Sequence, residues 1–554
     1  MTDRLDSRSE RKERGAFFTP ATIANFLARG AIGDNNRATV LDPTCGDGAF
    51  LLSAASHLRQ LGASRTQIRK QVYGVDIHSP TLDQAASTLA EHTLNATLHQ
   101  SDFFEMRSPD QLGAPLPLMD AVIGNPPFVR YQLHTGRARK VAAAAALRQG
   151  VRLSGLASSW AATLVHAASF LKPEGRLGMV LPAELLQVHY AEPIRRWLRT
   201  RFAAVHLVFF ERLQFEDATE NVVLLLARGS GGCDAFSLYF VQDAADLAEL
   251  QLFDEFAVTP ASEGKWTDLL LSIQQRQRFR KVEDEHFTAL GELGRVSLGT
   301  VTGSNAFFAI PDHVVAQYDL KPEHLTAICP PGSRHMRGSR FTRSDWNALR
   351  RDEASVWLLT PNPSDRSAGL RRYIRHGESE KVHEAYKCQV RDPWWVPPAV
   401  SSPDLFFTYM SHRFPRLVAN TAGASFVNSM HGVWLSSSAP AWVRSALPLV
   451  SINSVTMLGA EVYGRSYGGG VLKLEPREAA RLPVPSLDVL HDVWDRLRPD
   501  RAHLERELRA GRWTTVLAQV DRVLLRDALG LSHAEAETIH EGARYLRERR
   551  LNRR

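Results

Sequence analysis

Short apolar runs alternate with stretches of helical period through about the first 230 residues of the chain. Ala38 to Leu41 is such a run, followed by a glycine-rich turn and a helical stretch from Ala49 to Arg59. Val72 to Val75 reads as a second strand, and Thr81 to His92 as a helix. Ala121 to Ile123 is a strand that runs into two prolines. Gly175 to Leu181, Val205 to Phe210 and Val222 to Ala227 are further strands. Strands and helices alternating at this spacing predict an α/β domain with a parallel sheet. Ligands of such sheets sit beyond the carboxyl ends of the strands.

Gly229-Ser-Gly-Gly232 reads as a break. Beyond it the pattern turns irregular, rich in proline and tryptophan, and then helical from Leu487 onward. The expected organisation is a catalytic α/β domain over 1–232 and a linker over 233–280. A mixed, largely β domain over 281–485 and a helical segment over 486–554 follow. A chain of 554 residues, 44% hydrophobic, exceeds one ordinary core and supports such a division.

No apolar run of about 18 residues occurs, so no membrane span is expected. Met1 to Arg14 is polar, unlike a secretory signal. Four scattered cysteines with no CxxC pair indicate neither a zinc site nor a disulfide framework, which fits a reducing cytoplasm. The net charge of +7 permits a nucleic-acid partner. Its distribution says more: Pro331 to Arg375 holds ten arginines, no lysine and four acids. Arginine suits phosphate forks and guanine edges.

Two segments carry chemistry. In Asn125-Pro126-Pro127-Phe128, two prolines fix two φ angles and remove two backbone donors. The residue before each proline is pushed to an extended conformation. The stiff loop presents the Asn125 side-chain oxygen and the Pro126 carbonyl without a competing N–H. Two such acceptors gripping the hydrogens of a base amino group would localise its lone pair, and Phe128 could stack on the base. In Asp42-Pro43-Thr44-Cys45-Gly46-Asp47-Gly48, a strand enters a tight turn whose glycines let backbone approach a ligand. It is not the dinucleotide fingerprint G-x-G-x-x-G. Asp42 repels pyrophosphate and suits an ammonium, such as the methionine half of S-adenosylmethionine. Asp76, at the next strand end, fits a ribose diol. Asp102 follows a third such segment and could accept from the cofactor's adenine amine, with Phe103 against the ring. Cys45 reads as packing.

In this order the motifs resemble the N6-adenine DNA methyltransferases of restriction–modification systems, in the group whose recognition domain follows the catalytic domain. Gly15 to Pro20 is similar to the family's N-terminal cofactor motif, and Phe215 to the aromatic that closes the other face of a flipped base. Leu298 to Phe308 looks like the opening of the target-recognition domain. Tyr467 to Leu474 and Leu482 to Pro485 look like its closing segment. The resemblance implies a Rossmann-like class I methyltransferase domain that uses S-adenosylmethionine. It implies a cofactor set of Phe18, Thr19, Asp42, Pro43, Thr44, Cys45, Gly46, Gly48, Asp76, Ile77, Asp102, Phe103 and Asn125. Asn125, Pro126, Pro127 and Phe128 would be catalytic, with Phe128 and Phe215 stacking on the target base. Duplex DNA is the implied partner of a monomeric, cytoplasmic enzyme. About 14 residues precede the first motif, so any restriction endonuclease or defence subunit is expected to be separately encoded.

Within the second domain, Arg334, Arg337, Arg340 and Arg343 recur every three residues, as a loose helical stripe or a loop that tracks phosphates. Asn305 faces DNA or serves as a turn residue. Trp394-Trp395 reads as core, and the basic tail from Arg547 as a solvated helix end. No metal site is expected. Two alternatives stay open: another acceptor (cytosine N4, RNA or a protein glutamine), and a non-catalytic DNA-binding subunit on the same fold.

Overall fold

The computed structural model describes residues 19–129, 136–211, 222–252, 257–260 and 264–551. The chain forms two compact units, the first ending at Leu270 and the second running from Leu271 to Leu551.

The first unit is built on a nine-stranded sheet. Its strands are β1 (Val40–Asp42), β2 (Val72–Asp76), β3 (Thr97–Gln100), β4 (Met119–Gly124) and β5 (Leu171–Pro182). Then come β6 (Ala204–Phe210), β7 (Val222–Arg228), β8 (Phe236–Val241) and β9 (Ala257–Val258). The spatial order is β3-β2-β1-β4-β5-β7-β6-β8-β9. Strands β1 to β5 run parallel, and β7 enters antiparallel between β5 and β6. This is the expected Rossmann-like α/β architecture. The chain steps outward from β1 to β3, then returns across β1 to β4. The switch in strand order therefore lies between β1 and β4, where such sheets open a crevice at the carboxyl ends.

Helix Ala49–Gln60 shows why the sequence folds this way. Phe50, Leu51, Ala54, Ala55 and Leu58 form one buried stripe, and His57 and Arg59 complement the dipole in its last turn. With Ile23, Phe26 and Leu27 of helix Ala21–Ile32 it covers one face of the sheet, against Val40, Ile123 and Val180. Helix Ser159–Ala168 is buried along its whole length.

The expected break at Gly229–Gly232 is corrected by β8. Phe236–Val241 pairs parallel with β6 in the same sheet, and Phe236 is fully buried. Gly229, Gly231 and Gly232 all have positive φ and form a tight turn within the unit. Glycine clusters mark turns as readily as linkers. The expected linker 233–280 is thus divided: its first part belongs to the sheet, and helix Ile273–His286 to the second unit.

The second unit is mixed, as expected. Its largest sheet has five strands in the order Gly294–Leu298, His431–Leu435, Leu405–Phe407, Leu417–Asn420 and Arg340–Phe341. Phe341, Phe406, Val418 and Phe426 pack in its core with Trp346. A second core gathers Phe307, Phe308, Leu370 and Tyr373, with Trp394 and Trp395 against it. The helices after 486 are part of this unit, not a separate segment. Ser454 donates from its N–H and Oγ to the Asp521 carboxylate at 2.8 and 2.6 Å. Arg550, buried, pairs with Glu461 at 2.7 Å, so that part of the basic tail is no solvated end. Among the described residues no single helix is long and apolar enough to cross a membrane.

Candidate active site

The carboxyl ends of β1 and β4 meet closely. A Cβ on Gly124 would lie 2.9 Å from Asp42 Oδ1 and 3.5 Å from Pro43 Cδ, so only glycine allows this approach. The Thr44 N–H donates to Asp42 Oδ1 at 3.1 Å. The Cys45 N–H donates to Val75 O at 2.9 Å, tying the turn to β2, and the Cys45 side chain is buried as expected. Gly48, at φ +89°, starts helix Ala49–Gln60, and a side chain there would strike Ala85. Nothing lies near a Cβ position on Gly46.

Asp76 is partly committed inside the protein. Its Oδ2 accepts from the Gly46 N–H at 3.1 Å, and its Oδ1 from the His78 N–H at 2.9 Å and the Thr81 hydroxyl at 3.0 Å. One lone pair of Oδ2 is left for a ligand. The exposed side chain of Ile77 follows it. Asp102 Oδ1 accepts from the Phe104 N–H at 2.9 Å and caps a short helical turn. The Phe103 ring packs on His166 and Phe170, at centroid distances of 4.7 and 5.3 Å, and is buried. Burial first, and then Arg148, lower His166 to about 4, so a neutral imidazole bonds the Phe103 carbonyl.

The crevice is acidic. Burial, with repulsion from Asp76 and Asp47, pushes the Asp42 carboxyl up to about 8 against the opposing Thr44 N–H. Burial also raises Asp47. Among the described residues no cationic side chain pairs with any of these acids. Such a site favours a ligand that brings positive charge. No group of His, Cys, Asp and Glu among the described residues is arranged to hold a metal ion.

The Asn-Pro-Pro-Phe loop leaves β4 at the same end. Asn125 Nδ2 donates to Thr19 Oγ1 at 3.2 Å. Asn125 Oδ1 is buried and has no partner among the described residues, and neither does Thr44 Oγ1. The Ser159 hydroxyl donates to the Pro127 carbonyl and accepts from the Val129 N–H at 3.0 Å. The Ser159 N–H donates in turn to Val129 O at 3.1 Å. Ser159 thus clamps the far side of the loop and occupies the Pro127 carbonyl, while the Pro126 carbonyl accepts no hydrogen bond from the described residues. The sequence reading missed Ser159; its only signal was a Ser-Ser pair opening an apolar helix. Phe128 is half-buried against the core. Phe18 and Phe215 lie outside the described residues.

Residues 6–229 match the N-6 DNA Methylase family, and residues 263–525 match the C-terminal domain of the type II methyltransferase M.Eco57I. The chain belongs to the N6 DNA methyltransferases of restriction–modification type. The type II methyltransferase M.AccI of Acinetobacter calcoaceticus is 20% identical over 484 residues, 85% of each chain. M.XamI of Xanthomonas campestris pv. amaranthicola is 24% identical over 504 residues, 89% of this chain and 88% of its own. Among solved structures, the type IIG restriction endonuclease BpuSI has a TM-score of 0.44 at 14% identity, covering 98% of this chain and 67% of its own.

In the second unit of the methyltransferase the four regularly spaced arginines form no helical stripe. Arg334 lies in a short helical turn, Arg337 in a loop, Arg340 in a strand, and Arg343 begins helix Arg343–Arg351. Arg334, Arg337 and Arg343 are exposed, and the Arg343 guanidinium lies 4.4 Å from the Trp346 ring centre. Arg340 is half-buried. Asn305 is engaged internally: its Oδ1 accepts from the Thr302 hydroxyl at 2.7 Å and its Nδ2 donates to Asn428 at 3.4 Å.

Proposed function

We propose that this DNA methyltransferase transfers a methyl group from S-adenosylmethionine to the N6 amino group of a flipped-out adenine in duplex DNA. One observation carries the reading. Among the described residues no donor reaches Asn125 Oδ1 or the Pro126 carbonyl, while the Pro127 carbonyl accepts from Ser159 and Asn125 Nδ2 donates to Thr19. The loop therefore offers two acceptors to an incoming amine, with one hydrogen of the Asn125 amide turned to Thr19.

The crevice fits the cofactor. Asp42 and Asp47 suit the methionine ammonium, the open space at Gly46 admits a ligand against backbone, and Thr44 Oγ1 is a buried group in want of a partner. Oδ2 of Asp76 would hold ribose, with Ile77 an apolar wall. When bound, S-adenosylmethionine supplies an electrophilic methyl group on a sulfonium. Asn125 and Pro126 would accept from the two amine hydrogens and localise the nitrogen lone pair toward that methyl. The amine would become positive as it takes the methyl, two fixed carbonyl dipoles would stabilise that charge without reorganising, and the surplus N–H proton would then pass to solvent. Holding both reactants near attack distance supplies much of the remaining acceleration. Unstacking the adenine costs a few kcal/mol. Stacking on Phe128 and Phe215, at roughly 1–3 kcal/mol per base, offsets it.

The chain would work as a cytoplasmic monomer on duplex DNA, with a restriction endonuclease or defence subunit as partner. DNA from a host expressing it, digested to nucleosides and weighed by mass spectrometry, should contain N6-methyladenine. N4-methylcytosine in its place, or no modified base, would overturn the assignment.

A further inference from the structure

Helix Ala368–Ser379 in the second unit has two unlike faces. Leu370, Tyr373, Ile374 and Gly377 are buried. The Tyr373 ring stacks on Phe307 at 4.6 Å, and its hydroxyl donates to the Phe307 carbonyl at 2.7 Å. A Cβ on Gly377 would lie 2.6 Å from the Phe307 ring, so the helix sits as deep as backbone permits. Its rotation and depth are fixed. The face left to solvent carries Arg371, Arg372 and Arg375, all exposed.

Arg371 and Arg375 pair with no carboxylate among the described residues. Of the ten arginines from Pro331 to Arg375, Arg350 alone pairs with a carboxylate among the described residues, that of Asp312 at 2.6 Å. Three of the four acids in the stretch are taken elsewhere. Asp345 binds Arg509 at 2.7 Å, Glu353 binds His313 at 2.9 Å, and Asp365 binds His324 at 2.8 Å. Arg372 donates to the Tyr318 carbonyl at 3.2 Å, and Asp319, whose carboxyl is held low chiefly by the Lys321 ammonium, also feels the charge of Arg372. Arg371 and Arg375, one helical turn apart and therefore neighbours on the surface, engage nothing among the described residues.

The charge order also opposes the helix. No acid occupies its first turn, Arg371 and Arg372 stand in its first half, and Glu378 lies in its last turn beside His376. The macrodipole favours the reverse order. An arrangement that disfavours the isolated helix is compensated when an external polyanion covers the face. Guanidinium forks match phosphate oxygens better than ammonium groups do.

We propose that Arg371 and Arg375 grip the sugar–phosphate backbone of duplex DNA, supplying affinity and not sequence choice. The proposal rests on the chain's being a DNA methyltransferase, and it assigns the clamp to a helix outside the Arg334–Arg343 segment. Neutralising each phosphate contributes about 0.9 to the slope of log affinity against log salt. Binding of the full chain to a labelled duplex is measured by anisotropy between about 50 and 200 mM salt. The double variant Arg371→Gln/Arg375→Gln should bind more weakly, with a slope shallower by about 1.8 and an unchanged ranking of duplex sequences. Arg371→Lys/Arg375→Lys should restore most of the slope. A double glutamine variant with wild-type affinity and slope, or one with altered sequence ranking, overturns the clamp. Wild-type protein that shows no salt-dependent duplex binding overturns the DNA reading itself, a different result from an inert substitution.

Discussion

Asn125 Nδ2 donates to Thr19 Oγ1 across 3.2 Å, joining residues 106 apart in the chain. That bond holds the amide nitrogen inward and leaves the amide oxygen outward. A flipped amide would present N–H groups to an amine that is itself a donor. Thr19→Val keeps the shape and removes the acceptor. One hydrogen bond contributes about 1 kcal/mol, so single-turnover methyl transfer should slow roughly five- to tenfold with DNA affinity little changed. Rapid-quench kinetics at saturating DNA check this, and an unchanged rate would count against the orienting role.

Ser159 holds the loop from the other side through its hydroxyl and its N–H. Ser159→Ala frees the Pro127 carbonyl as a competing acceptor and leaves the Val129 N–H unpaired. The expected result is a kcat reduced by about tenfold or more with KM for DNA within a few-fold, as for an interaction felt in the transition state. A rise in KM alone would assign Ser159 to substrate binding instead.

Asp42 ties the cofactor crevice to stability. Its folded pKa, about 8, lies above the ordinary carboxyl value of 3.8 because burial disfavours the anion. The unfolded chain loses this proton near pH 4 and the folded chain near pH 8. Stability from this group is therefore full below about pH 4 and falls as pH rises toward 8. Asp42→Asn keeps an acceptor for the Thr44 N–H and removes the ionisation. The variant should melt higher than wild type at pH 8, by a difference that closes toward pH 4, while cofactor affinity drops. Paired melting curves across that range check it; a variant less stable than wild type at pH 8 would contradict burial of the carboxyl as the cause.

Arg550 is buried against Glu461, and it also donates to the carbonyls of His412, Arg413 and Gly470. Removing one partner of a buried pair leaves an uncompensated charge, at about 3–5 kcal/mol. Arg550→Ala should therefore lower the unfolding midpoint of the second unit by several degrees. A loss indistinguishable from that of Arg547→Ala would make the pair dispensable.

Local chemistry was legible from residue order. The turn from Asp42 to Gly48 and the Asn125 to Phe128 loop fall at the ends of β1 and β4, because glycine alone readily takes the positive φ of the turn and proline fixes φ in the loop. What the sequence hid depends on partners far along the chain. Ser159 touches a loop about 30 residues away, and Arg550 a glutamate 89 residues away. Gly229 to Gly232 was misread because a turn inside a sheet and a linker between domains use the same residues. The contacts of Phe103 with His166 and of Asn305 with Asn428 likewise join residues far apart in the chain.

The acceptor pair is tested most directly by Asn125→Ala. Single-turnover transfer of labelled methyl to duplex DNA is measured alongside cofactor binding by calorimetry. Loss of one preorganised polar contact to a transition state typically costs about 10²–10³ in rate. The expected result is a fall of that size with cofactor affinity within a few-fold of wild type. A variant that methylates at the wild-type rate would show that the amide oxygen does not hold the amine.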